Sequence, residues 1–188
     1  MEMYKGNSRH TDSLETGLEF QDFMSIKFME QMGFNISIFQ SKKYQFEKGE
    51  SLQGIEIKYD ARSTGDCTYY ENVATGNVAV ELFEKTNRNN KEWVKSGILR
   101  KDNTWIYVIG NYHQAWIFSK KRLQELYRSN RYKCIQTLPT IRSMLMPLNQ
   151  ADRHCEIKLT FSNNKDSHKL NGLNNSRKIN NNKCSTTQ

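Results

Sequence analysis

GIEIKYD, residues 54–60, alternates apolar and polar residues along its length. Successive side chains of a strand point to opposite faces, so this stretch reads as a strand with two unlike faces. Ile55, Ile57 and Tyr59 share one face, and Glu56, Lys58 and Asp60 share the other. Downstream, NVAVELF (77–83) repeats the pattern, with Val78, Val80 and Leu82 on one side and Ala79, Glu81 and Phe83 on the other. TWIYVIG (104–110) and QAWIFS (114–119) read as two further strands joined by a tight loop at Asn111–His113. Ser119 is placed to cap a following helix whose apolar face is Leu123, Leu126 and Tyr127. TIRSMLMPL (140–148) suggests an edge strand that Pro147 ends, and HCEIKLTF (154–161) another strand.

Upstream, Thr16 and Glu19 have capping-box spacing, which starts a helix there. Phe20, Phe23, Met24 and Phe28 then fall on one helical face, and Gly33 is the expected stop. FNISIF (34–39) alternates like a strand, while KKYQFEKGES (42–51) is polar and turn-like, with some strand character at Tyr44 and Phe46. The connector 85–103 is expected to hold a short helix near Glu92–Lys95. The order of helix, strands, connector, strands and helix predicts an α+β fold with a mixed central β-sheet flanked by helices. Residues 1–13 are polar and expected to be flexible, 14–161 form the domain, and the Asn/Lys-rich tail 162–188 lacks the periodicity of a packed segment and is expected to be disordered.

The chain of 188 residues carries 28 Lys and Arg against 20 Asp and Glu, a net charge of +8. Such a balance favours polyanionic partners, nucleic acid above all. Arg62, Arg100, Lys101, Lys120, Lys121 and Arg122 are candidate phosphate contacts. Cys67, Cys134, Cys155 and Cys184 show no zinc-binding spacing. The polar start is no signal peptide and the apolar runs are too short to span a membrane, so a cytoplasmic protein with reduced thiols is expected. A homodimer is left open. Trp93, Trp105 and Trp116 read as core residues, His113 as loop filler, and Cys67 has no evident base to make it a nucleophile.

Glu56, Lys58 and Asp60 supply the candidate chemistry. Residues two apart on a strand lie about 6.5–7 Å apart at the backbone, so their side chains can converge on one metal ion or phosphate. Glu81 stands between apolar neighbours on its strand face and needs a partner if buried, which a metal or Lys58 would supply. Carboxylates bind hard divalent cations through oxygen, and a nearby lysine can orient a water and offset charge developing on phosphorus. A strand face turned to water would show the same alternation.

GIEIKYDAR, ATGNVAVELFEK, WVKSGILR, TWIYVIG and WIFSKKRL together resemble, in that order, small PD-(D/E)XK nucleases of phages and mobile elements. The matching residues are Glu56, Lys58, Asp60, Thr75, Gly76, Asn77, Glu81, Ser96, Gly97, Ile98, Trp105 and Tyr107, and the resemblance spans about residues 14–127. It implies a three-layer α/β restriction-endonuclease-like core, a Mg²⁺ or Mn²⁺ cofactor, and DNA as substrate, in phage-type replication, recombination or repair. Glu56 and Lys58 would be catalytic, with Glu56, Asp60 and Glu81 as metal-linked carboxylates and Asn77 in support. The class places a further acidic residue upstream of E-x-K, yet no aspartate lies between Asp22 and Asp60. Glu50, just before the core strand, would stand in for it, with Glu47 the alternative; with neither, the chain would bind DNA without cutting it. Some relatives carry a carboxylate on the first helix, where Glu19 stands, but here it reads as a surface glutamate of the capping box. If these carboxylates repel one another without metal, Glu56→Gln should hold or raise stability. A non-catalytic nucleic-acid-binding protein on the same fold is the alternative function.

Overall fold

The computed structural model describes residues 8–64 and 74–161. Helix α1 (Ser8–Met32) leads into helix α2 (Lys42–Lys48), followed by strands β1 (Ile55–Tyr59), β2 (Asn77–Glu84) and β3 (Val94–Lys95). After a 3₁₀ turn (Gly97–Leu99) come β4 (Ile106–Gly110), β5 (Gln114–Ser119) and helix α3 (Lys120–Arg128). Strands β6 (Cys134–Leu138) and β7 (Ile141–Pro147), helix α4 (Leu148–His154) and strand β8 (Ile157–Thr160) complete it. The chain is α+β, as its pattern predicts.

The strands divide into two sheets rather than one central sheet. The first has the order β1-β4-β5-β8 and the second β3-β2-β7-β6. Only β1 and β4 run parallel among the strand pairs described; every other pair is antiparallel. Two apolar cores explain the division. Phe20, Met24 and Phe28 of α1 pack on Ile55, Ile57, Val108, Ala115, Ile117 and Leu159 from one face of the first sheet. Tyr107, Ile109, Trp116 and Phe118 from its other face meet Val78, Val80, Leu82, Met144 and Met146 of the second sheet, with Leu123 and Leu126 of α3. The first sheet is therefore covered on both faces. That is why β4 and β5 are apolar on both sides. Because Ile55 and Ile57 face α1, Glu56 and Lys58 point toward the second sheet.

Several elements depart from expectation. Helix α1 begins at Ser8, so Thr16 lies inside it and is no cap. Its stop is as predicted: Gly33, at φ +63°, donates its N–H to Met29 O. FNISIF forms one isolated bridge, Ile38 with Ser51, and no strand. Its alternation comes from Ile36 and Ile38 meeting the α1 core. KKYQFEK is helical, and Gly49, at φ +88°, ends it. Lys, Gln and Glu favour helix where no apolar face dictates otherwise. The stretch Glu92–Lys95 ends in β3, and the helical turn falls later, at Gly97–Leu99. Strand β7 is interior, since β6 pairs with its far side. Ser119 caps α3 as expected, accepting a hydrogen bond from Arg122 N. No helix among the described residues is long and apolar enough to cross a membrane. The expectations for residues 1–7, Cys67 and the tail 162–188 lie outside the described residues.

Candidate active site

Glu56 projects from β1 into the space between the sheets, where it is 1% exposed. An ionised carboxylate so buried must be compensated, and two cations do this. Lys58 Nζ lies 2.8 Å from Oε1, and Arg100 Nη2 lies 3.0 Å from Oε2. The parallel register sets Tyr107 beside Glu56, and the Tyr107 hydroxyl donates to Oε2 at 3.1 Å. Thr104 adds a long hydrogen bond to the same oxygen, at 3.5 Å. Burial works against the charge on Glu56, but Lys58 and Arg100 hold its pKa below the ordinary value. Burial, and then the same carboxylate, raise the pKa of Tyr107, which stays a neutral donor.

Lys58 also lies in the field of two more carboxylates. Burial opposes its charge, yet Glu56, Glu81 and Glu50 together raise its pKa, so it remains an ammonium. Glu50 is fixed through both oxygens: Gln21 of α1 donates to Oε1 and the Ile57 N–H to Oε2, each at 2.7 Å. Burial raises the pKa of Glu50, and Lys58 only partly opposes this. Glu81 accepts a hydrogen bond from the Ser96 hydroxyl. Gly97 makes that contact possible. At φ +47° it lies so close to β2 that a Cβ there would fall 2.2 Å from the Glu81 carbonyl oxygen.

Arg100 is itself held by a carboxylate behind it. Asp102 binds Arg100 Nε and Lys120 Nζ, both at 2.6 Å, and accepts the Thr104 N–H. Burial would raise the Asp102 pKa, but the hydrogen bonds from Lys120 and Arg100 hold it below its ordinary value. These groups border a shallow cavity of about 550 Å³ lined by Glu47, Arg100, Lys101, Asp102, Asn103, Thr104, Lys120 and Gln124.

The residues singled out in the sequence thus part company. Lys58 pairs with Glu56 at 2.8 Å and lies in the field of Glu50 and Glu81. Asp60 does not join them as a metal ligand: its carboxylate accepts the Ala79 N–H at 2.8 Å, tying the end of β1 to β2. Asn77 does not support the site either, because its amide donates to Thr75 O within the turn before β2. Arg100 and Lys120 are internal counterions rather than free phosphate contacts, and Lys120 is only 8% exposed. Arg62, Lys101 and Lys121 are exposed, and Arg122 meets His154 and Glu125. Glu47 lines the cavity, and Glu19 lies on the exposed side of α1. Trp116 is core as expected, but Trp105 is 61% exposed. The prospect that Glu56→Gln relieves repulsion is overturned, since two cations flank the carboxylate. Sequence reasoning missed Asp102 and Gln21. Asp102 sits in a polar connector with no periodicity, and Gln21 is a neutral residue on a helix flank.

A metal ion would have few ligands in this arrangement. Among the described residues no group of three or more His, Cys, Asp or Glu side chains is disposed to hold one. Magnesium, however, needs only one or two carboxylates and keeps several waters. Glu56 Oε1 has Lys58 as its ionic partner at 2.8 Å and no further hydrogen bond among the described residues, so a metal there would share the oxygen with that ammonium. No protein-family model, no curated protein and no solved structure matches the chain.

Proposed function

We propose that this chain is a metal-dependent deoxyribonuclease, hydrolysing phosphodiester bonds in DNA replication, recombination or repair. One observation carries the reading: Glu56 and Lys58, two apart on β1, form a 2.8 Å ion pair within the field of Glu50 and Glu81. Glu56 Oε1 and Glu50 are the groups that would hold Mg²⁺ or Mn²⁺, which when bound would polarise the phosphoryl oxygen and acidify a water. Lys58 cannot serve as a base, because the surrounding carboxylates keep it protonated. Its ammonium instead places a positive charge where charge develops on the phosphoryl oxygens. Arg100, Tyr107 and Thr104 hold Glu56 Oε2 and so fix which oxygen faces Lys58.

A second reading rests on the same carboxylate. Both oxygens of Glu56 already have cationic partners, which suits a nucleic-acid binder that does not cut. Purified protein incubated with duplex, nicked, forked and single-stranded DNA, with Mg²⁺, with Mn²⁺ and with EDTA, decides between them. Cleavage that requires the metal is expected. Binding without cleavage on every substrate would leave the binder.

A further inference from the structure

We propose that the exposed indole of Trp105 is a stacking platform for an unpaired DNA base next to the scissile phosphate, which makes DNA with a single-stranded segment the substrate class. The inference rests on the nuclease reading above. Trp116 is fully buried, and Trp93 has Lys85 and Arg142 over its ring at 4.6 and 4.3 Å from the centroid. Trp105, in contrast, is 61% exposed.

An exposed ring is ordinarily free to turn, but this one is held. Its Nε1 donates to Gln53 O at 2.7 Å. Gly54 O accepts both the Trp105 and the Ile106 N–H, at 2.9 and 3.1 Å. Gly54, at φ +70°, passes so near the ring that a Cβ there would lie 2.5 Å from Cδ1. The pyrrole edge is thus anchored while the rest of the indole meets solvent. A surface ordered in advance loses little freedom when a ligand stacks on it.

Its position also fits. Thr104, the preceding residue, lines the cavity and donates to Glu56, and Tyr107, two residues further on, donates to Glu56 as well. Lys120 N donates to Trp105 O at 2.7 Å, which brings the start of α3 and exposed Lys121 alongside. Exposed Lys101 lines the cavity together with Thr104, the residue before Trp105. An aromatic face beside cations is the combination that binds single strands, the base stacking while the phosphates meet lysine. Bases inside a duplex are stacked on one another and offer no free face, so the platform selects unpaired segments. Exposed Lys121, next to the residue that hydrogen-bonds Trp105 O, favours a phosphate-bearing occupant over a second protein surface, whose centre would be apolar and poor in charge.

The experiment uses the full chain in EDTA with a short labelled oligo-dT and a blunt duplex of equal length. Affinities are measured by anisotropy for wild type, Trp105→Ala and Trp105→Phe, with indole emission read in parallel. Trp105→Ala should weaken oligo-dT binding about tenfold, leave duplex binding nearly unchanged, and abolish quenching of the exposed indole; Trp105→Phe should retain most of the affinity. Equal losses on both DNAs, or no loss, would overturn the platform. So would a concentration-dependent dimer that Trp105→Ala dissolves, which would assign the face to a second copy. The two readings fail separately. Metal-dependent cleavage indifferent to Trp105 sinks only the platform, and Trp105-dependent binding of oligo-dT by a chain that never cuts sinks only the nuclease.

Discussion

Replacing Glu56 by Gln removes a charge from between Lys58 and Arg100. Under the proposed chemistry, Glu56→Gln and Lys58→Ala each lower metal-dependent cleavage about 100-fold or more, on the order of 3 kcal/mol of barrier. Unchanged turnover in both would remove these residues from the mechanism. Both variants should also lose stability in urea, by about 1–3 kcal/mol, less than for a wholly buried pair because the two cations are partly exposed. Acid response separates two neighbouring carboxylates. The pKa of Asp102 is depressed on folding, so its stabilisation is complete above its ordinary value of 3.8 and is lost as pH falls through the lower, folded value. Asp102→Asn should therefore be less stable than wild type at neutral pH, with the gap closing in acid. Glu50 has the opposite sign. Its pKa is raised on folding, so its ionisation opposes the fold as pH climbs past the ordinary 4.5. Glu50→Gln should gain on wild type as pH rises from about 4 to 7. Melting temperatures from about pH 2 to 7 test both, the acid end for Asp102 and the upper end for Glu50, and parallel curves for the two variants would contradict the assigned directions.

Strand β2 carries Glu81 at an irregularity, where the pairing register with β7 shifts between Glu81 and Phe83. Such bulges bend a strand and re-aim a side chain. The 3₁₀ turn then brings Ser96 onto Glu81, and this depends on Gly97. Gly97→Ala combines a positive φ with a clash against backbone, so a loss of about 2 kcal/mol or more in equilibrium denaturation is expected. Denaturation curves that overlay with wild type would refute the close approach. How far these elements were readable follows from the same physics. Strands β1, β2, β4 and β5 declare themselves because burial writes alternation or continuous apolarity into them, and Glu56 and Lys58 came with β1. Strand β6 was invisible because an exposed edge strand needs little apolar sequence, and it contains only Ile135 and Leu138 as large aliphatics among Cys134–Leu138. FNISIF misled because two isoleucines can alternate into a helix-packed loop as well as into a sheet. Asp60 looked like a ligand because spacing on a strand says which face a carboxylate takes, but not that a backbone N–H will meet it there.

Across the whole molecule the basic charge is unevenly spread. Residues 165–188 contain five Lys or Arg against one Asp, which is +4 of the net +8. If DNA is the ligand, as proposed, removing them should lower affinity for all sequences alike and flatten its dependence on salt, since each lost phosphate contact reduces the logarithmic slope by about 1. Titrations at several salt concentrations measure this, and an unaltered slope would place the contacts wholly on the remaining chain. The parallel pairing of β1 with β4 carries a different consequence. Glu56 and the hydroxyl that steadies it lie 51 residues apart in sequence, and β2, β3 and the 3₁₀ turn are threaded between them. Closing so distant a pair is entropically slow, while a helix such as α1 can form within microseconds. Helical ellipticity should then return before cleavage during refolding, and simultaneous recovery would argue otherwise. A half-folded chain, early from the ribosome or late from damage, would hold Glu56 and Lys58 side by side with nothing to aim them. On the proposed nuclease reading, competence to cut DNA would arrive last, only once the chain had finished folding.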